Sequence, residues 1–258
     1  MGRRQRGAPR LATTYEEARV TDSNRVALVT GGNRGIGRAV VESLLERGDR
    51  VYFCGRSPET VEATQRELFV RHPGKVDART CDVRDAAAVE RLVGWVVDEA
   101  GRLDVLVNNA GLGHFAPVDE MPVEEFREVI ETNLLGAYYG IRAAAPVMKE
   151  QGSGWIFNIA SLAAKNAFAG GSAYNASKFG LVGLSEAAML DLRHYGIRMA
   201  AICPGSVETE FGAGRMQDGK SWRLQPEDVA KVVTDLLDFP DRALPSLIEI
   251  RPSRPPKK

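Results

Sequence analysis

The stretch GGSAYNASKFGL, Gly170 to Leu181, sets Tyr174 and Lys178 four positions apart among small residues. If it is helical, both side chains share one face about a turn apart. A phenol ordinarily titrates near ~10, and a neighbouring ammonium stabilises its phenolate and lowers that value. A phenol tuned toward working pH exchanges protons more readily, so the pair suits general acid or base work. Taken singly, Tyr174 is equally a core phenol and Lys178 a solvated helix charge. A second chemical signal lies upstream in TGGNRGIG, Thr30 to Gly37. Glycines at 31, 35 and 37 suit a tight turn, a close backbone approach and helix–strand packing. A helix opening there offers free N–H groups and a positive dipole end to a pyrophosphate. A glycine triplet also closes ordinary turns, so the elements on either side decide its meaning.

Those elements alternate. RVALVT reads as a fully buried strand directly before the glycines, and GIGRAVVESLLERG as a helix ending at Gly48. RVYFC is a second strand, followed by a helix from Pro58 to Val70 with proline in its first turn. VDARTCDV, LDVLVNNAG, GWIFNIAS, IRMAAICPG and SLIEI supply five more strands. Between them fall a helix over DAAAVERLVGWVVDEAG, a long one from Val123 to Glu150, one from Ser172 to Tyr195, and a capped one over QPEDVAKVVTDLLD. Strands joined by helical crossovers predict a parallel sheet covered on both faces. No composition break divides the series. The expectation is one α/β domain over 25–250, a doubly wound Rossmann-like fold with a seven-stranded parallel sheet.

The glycine spacing is G-x-x-x-G-x-G, and it is joined by NNAG (Asn108 to Gly111) and Tyr-x-x-x-Lys. Together these resemble the short-chain dehydrogenase/reductase family in its short single-domain branch. The resemblance covers roughly Arg25 to Ile250, with motifs in order at Thr30 to Gly37, Asp82, Asn108 to Gly111, Asn133, Ser161, Tyr174, Lys178, Pro204, Gly205 and Thr209. It implies hydride transfer between a nicotinamide cofactor and a ketone or aldehyde, with Tyr174 as general acid or base. Lys178 would also hold the nicotinamide ribose. Ser161, at a strand end facing the binding crevice, would donate to the substrate oxygen; the plainer reading is a strand-end cap. Asn133, an amide amid apolar residues, would hold a water relaying protons from Lys178 to solvent, and is otherwise a satisfied core group. The implied cofactor contacts are Gly31, Asn33, Arg34, Gly35, Ile36 and Gly37; Arg56; Asp82 and Val83 beside the adenine; Asn108, Ala110 and Gly111. They continue with Tyr174, Lys178, Pro204, Gly205, Val207 and Thr209, the last at the carboxamide.

An acid at the end of the second strand would hold the adenosine ribose 2′-hydroxyl and repel a 2′-phosphate. Here VYFCGRS puts Gly55 in that place, followed by Arg56, and Arg34 lies within the glycine loop. Two guanidiniums and no carboxylate favour a phosphate through charge-assisted hydrogen bonds, so the expected cofactor is NADP(H). Either arginine alone would pass for a solvated loop charge.

The remaining features bound the problem. Lys+Arg and Asp+Glu both number 34, so no global charge calls for nucleic acid or an anionic membrane. No apolar run approaches the ~20 residues of a membrane span. Cys54, Cys81 and Cys203 lack metal or disulfide spacing and read as buried thiols of a reducing, cytoplasmic compartment. His72, His114 and His194 form no ligand cluster, so no metal is expected. His114 and Phe115 could line a substrate pocket, with an ordinary loop histidine the alternative. The NAS at Asn175 falls inside the helix of the Tyr–Lys pair and reads as an empty glycosylation pattern. Residues 1–24, arginine-rich at the start, are expected to be a disordered extension, and 251–258 an extended tail. The segment from Pro204 to Asp228 has the glycines and mixed polarity of a lid. Small residues in GAYYGIRAAA and GLVGLSEAAML would let the Val123–Glu150 and Ser172–Tyr195 helices pack against a partner or equally within the chain, and the family resemblance implies a homodimer or homotetramer. LIEIRPSRPPKK lacks the Asp-Gly-Gly ending of many relatives, so a 3-oxoacyl-thioester reductase stands as an alternative to a general carbonyl reductase. A non-catalytic NADP(H)-binding regulator is the alternative of another class, and it would typically lack the tyrosine.

Overall fold

The computed structural model describes residues 24–211 and 222–255. Residues 1–23 of the expected extension, 212–221 of the expected lid and 256–258 of the tail lie outside the described residues. Seven strands form the sheet: β1 (Val26–Thr30), β2 (Arg50–Gly55), β3 (Val76–Thr80), β4 (Val105–Asn108), β5 (Gly154–Ile159), β6 (Ile197–Pro204) and β7 (Leu247–Ile250). Their order is β3-β2-β1-β4-β5-β6-β7, and every neighbouring pair is parallel. The chain reverses its direction of travel across the sheet between β3 and β4. The carboxyl ends of β1 and β4 therefore flank a topological switch point, where such sheets open a crevice.

Among the described residues, seven α-helices connect or follow the strands: α1 (Gly35–Glu46), α2 (Pro58–Arg71), α3 (Ala86–Ala100), α4 (Val123–Ile130), α5 (Gly136–Gln151), α6 (Ser172–Leu192) and α7 (Pro226–Leu237). Their ends follow local chemistry. Ser57 accepts from Thr60 N ahead of Pro58, Asp85 accepts from Ala87 N and Ala88 N, and Gly101 closes α3 with a positive φ. Period-two alternation distributes the strands between two apolar layers. Ala27, Val29, Val51 and Phe53 join the layer under α1, α2 and α7, whereas Val26, Leu28, Tyr52 and Cys54 join the layer under α3 and α5. With both faces covered, the central strands are buried throughout, which is why they read as unbroken apolar runs.

The long helix expected from Val123 to Glu150 is interrupted. A π-helical turn, Glu131–Leu135, separates α4 from α5 and carries Asn133. Such turns recur at functional sites because the extra residue re-aims a side chain. The helix expected to run to Tyr195 stops at Leu192 and tightens into a 3₁₀ turn, and β3 ends at Thr80 rather than running through Val83. Among the described residues, no helix is long and apolar enough to cross a membrane.

Candidate active site

A cleft of ≈ 1520 Å³ runs across the carboxyl ends of the strands. Its floor at the switch point is the glycine turn. Thr30 Oγ1 accepts from Asn109 N and Ala110 N, both at 3.0 Å, joining the turn after β1 to the turn after β4. The Asn109 amide donates to Thr30 O at 2.9 Å and Gly31 O at 3.1 Å. A Cβ at Gly37 would run into Gly31 O and the Asn109 amide, so only glycine allows α1 to approach this closely. The first turn of α1 has no side-chain cap and no acidic residue, which leaves its N–H groups to an anion. Asn109 was legible only as part of NNAG, yet it is the residue that ties the two turns together.

Of the expected cofactor contacts, Gly31, Asn33, Arg34, Gly35 and Ile36 line one end of the cleft together with Arg56 and Val83. Ala110 and Gly111 line its middle, and Pro204, Gly205, Val207 and Thr209 the far side. Gly37, Asp82 and Asn108 stand behind this surface. Asn108 is buried, donating to Asn158 Oδ1 at 2.8 Å, and so serves the sheet. Asp82 is held by Arg84 at 2.6 Å, with its carboxyl below the ordinary carboxylate range because of that hydrogen bond. The missing acid at the end of β2 has a steric side as well, since a Cβ at Gly55 would collide with Asn33 Oδ1. Arg34 reaches Glu210 at 3.4 Å, and Arg56 reaches Glu128 at 3.2 Å. Glu128 also binds Arg84 at 3.1 Å and the His114 ring at 3.0 Å. His114 is therefore engaged with α4 rather than lining the cleft.

Ser161, Tyr174 and Lys178 come together at the opposite end. Ser161 caps a short 3₁₀ turn by accepting from Ala163 N at 3.1 Å, and its hydroxyl lies near enough to the Tyr174 phenol to lower its pKa. The cap reading and the expected role thus coincide in one hydroxyl. Lys178 is buried, its Nζ donating to Ile159 O at 2.8 Å and lying 5.7 Å from the Tyr174 ring centroid. The expected lowering of the phenol is not found. Burial pushes Tyr174 up, and the neighbouring Ser161 hydroxyl offsets this only in part. Lys178 is itself pulled down to about 8 by burial, and its nearest partner is a carbonyl, not the phenol.

Asn133, on the π turn, is buried behind the triad. Its amide donates to Leu112 O at 2.9 Å and Ser177 Oγ at 3.0 Å, while Oδ1 accepts from Leu112 N at 2.9 Å. Both N–H positions are taken, so the side chain clamps the loop after β4 to α6. Asn175 went unrecognised as a positioning residue. Its amide donates to Ala163 O at 2.7 Å and Asn166 O at 3.3 Å, and Oδ1 accepts from Phe168 N at 3.3 Å, so it shapes the loop carrying Ser161. Beyond β6, Glu208 N donates to Leu224 O and Leu224 N to Ser206 O, closing the two described flanks of the expected lid on each other. The start of the expected tail belongs to the rim, since Arg251 lines the cleft.

Residues 25–220 match the protein family described as short chain dehydrogenase. A 2-(R)-hydroxypropyl-CoM dehydrogenase of Xanthobacter autotrophicus is 39% identical over 208 residues, 79% of this chain and 80% of its own. The solved alcohol dehydrogenase of the archaeon Thermococcus sibiricus, complexed with 5-hydroxy-NADP, is similar at a TM-score of 0.83 and 30% identity, covering 91% of this chain and 99% of that one. A metagenomic short-chain oxidoreductase in complex with NADP is similar at a TM-score of 0.79 and 37% identity, covering 90% of this chain and 99% of its own.

Proposed function

The chain belongs to the short-chain dehydrogenase family of oxidoreductases, and from that premise we propose that it interconverts a ketone or aldehyde and its alcohol using NADP(H). The observation that carries this reading is the convergence of Ser161, Tyr174 and Lys178 at one end of a cleft whose other end bears Arg34 and Arg56 and no acid at Gly55. NADP and 5-hydroxy-NADP in the two similar structures support the cofactor.

The residues present fit that group. Gly31 to Gly37 and the uncapped start of α1 would take the pyrophosphate, and Arg34 and Arg56 the 2′-phosphate. Val83 would lie beside the adenine, and Ala110 and Gly111 along the body of the cofactor. Pro204, Gly205, Val207 and Thr209 would close on the nicotinamide. When bound, NADP(H) supplies or accepts the hydride. Tyr174 donates a proton to the substrate oxygen as negative charge develops there; its raised pKa keeps the phenol in the protonated form a reduction uses. Ser161 donates a hydrogen bond to the same oxygen and orients it. Lys178, sharing the dry end of the cleft, stabilises charge on the phenol when the proton leaves.

An assembly through α5 and α6, dimer or tetramer, completes the proposal. Tyr138 on α5 and Phe179 and Leu190 on α6 are large, apolar and exposed. Sedimentation velocity returning a monomer would remove that part. A cytoplasmic setting fits three buried free cysteines. The decisive test of the activity is absorbance loss from NADPH or NADH with purified protein and a panel of ketones, aldehydes and thioesters. Turnover with NADPH at higher kcat/KM is expected. Equal or better use of NADH sinks the cofactor assignment, and no turnover with either favours a non-catalytic binding protein.

A further inference from the structure

Three phenylalanines from three separate loops cluster beside Tyr174, two in contact with its ring and the third packed on one of those two. Phe115 follows β4 and lies 5.7 Å from Tyr174 and 5.9 Å from Phe168, which precedes α6. Phe211, beyond β6, lies 5.6 Å from Tyr174. Two glycines make the arrangement possible. A Cβ at Gly113 would stand 2.7 Å from Phe115 Cζ and 3.2 Å from Phe211 Cζ, and one at Gly171 would stand 2.6 Å from Phe168 Cε2. Despite packing on one another, Phe115 and Phe168 each keep 47% exposure and Phe211 43%, so these rings are not a core. Phe168 and Phe211 face the cleft, as does Trp222. Of the charges on the same rim, Arg251 pairs with Glu249 and Glu210 with Arg34, while Glu208 accepts from the Gln225 amide. What flanks the phenol is therefore a set of apolar ring surfaces held open to solvent.

Resting on the oxidoreductase reading above, we propose that this rim selects an uncharged ketone, or its alcohol, whose carbonyl is carried on a flat ring system. The ring body lies against Phe168 and Phe211 while the carbonyl reaches Tyr174 and Ser161. A ring-to-ring contact is worth about two- to tenfold in binding beyond the area it buries, and a linear acyl chain forgoes it.

The test compares β-tetralone with the linear methyl ketone of equal carbon number and with S-acetoacetyl-N-acetylcysteamine, using NADPH. A kcat/KM at least about tenfold higher for β-tetralone is expected over both linear substrates. Phe168→Leu and Phe211→Leu keep apolar bulk but remove a ring. Each should shrink that preference about two- to tenfold, mainly through KM. A linear substrate preferred, or a preference that neither substitution moves, overturns the inference. If no ketone is turned over, equilibrium dialysis of β-tetralone against the full chain with NADPH separates the two readings. Binding weakened by Phe168→Leu upholds the rim and sinks the oxidoreductase reading, and absence of binding sinks the rim.

Discussion

The two ends of the cleft are built on opposite electrostatic terms. Around the glycine turn and β2, charges are plentiful and exposed: Arg34 pairs with Glu210, Arg38 with Glu42 and Glu67, and Arg56 with Glu128. Pairs as open to solvent as Arg34–Glu210 contribute little to stability, typically about 0–1 kcal/mol. They can be exchanged for a phosphate at small cost. At the catalytic end polar groups are few and buried, Asn133, Asn175, Ser177 and Lys178 each under a tenth exposed, and each side chain has a bonded partner. Losing one such bond strands its partner away from water at about 1–3 kcal/mol. One end is tuned by charge count, the other by geometry.

The largest effect should come from the buried end. Tyr174→Phe keeps the ring that packs on Phe115 and Phe211 and removes only the hydroxyl that neighbours Ser161. kcat is expected to fall about 10²- to 10⁴-fold, the usual worth of a positioned proton donor. Cofactor affinity, measured by NADPH fluorescence titration, should move far less, since the phosphate-binding end is untouched. Full activity in this variant would overturn the mechanism.

The same contrast explains what was legible in the sequence. Strands buried on both faces show as apolar runs, and helix ends show as single residues such as Gly48 and Pro58, so the sheet and most helix ends could be read directly. Ordered motifs brought Ser161, Tyr174 and Lys178 together in expectation, and the fold brings them together in space. The π turn at Asn133 was illegible because its cause lies across space, in the backbone of Leu112 and the hydroxyl of Ser177. The direction of the Tyr174 shift was misread for a similar reason. Spacing put an ammonium near the phenol, but burial and the Ile159 carbonyl decide what that ammonium does.

A smaller effect should appear in stability against pH. In the folded chain burial brings Lys178 down to about 8, against an ordinary 10.5. Between those values the unfolded chain binds the extra proton, so stability rises with pH across the window and the gain is lost on acidification through about pH 8. The full swing is about 3 kcal/mol. Tyr174 opposes it only above 10, where the raised phenol begins to cost the fold. Urea unfolding of the wild-type chain and of Lys178→Met from pH 7 to 10 isolates the lysine, because other groups cancel in the difference. A difference that stays flat with pH would show that Lys178 is not desolvated in solution.

The smallest effect belongs to the exposed end, and it is where the comparison can be broken. Arg56→Ala removes one guanidinium, leaving Glu128 still held by Arg84 and His114, so the fold should be unaffected. A charge-assisted hydrogen bond to a 2′-phosphate is worth about 1.5 kcal/mol, so KM for NADPH should rise about tenfold while KM for NADH barely moves. Raising the ionic strength should shrink the gap, because an exposed charge is screened. Glu128→Gln works in the opposite sense. It frees Arg56 from a competing carboxylate and removes a negative charge near the phosphate, so KM for NADPH should fall. If Arg56→Ala raised KM for both cofactors equally, Arg56 would be supporting the cleft wall rather than reading a phosphate. The exposed end would then be geometric like the buried one.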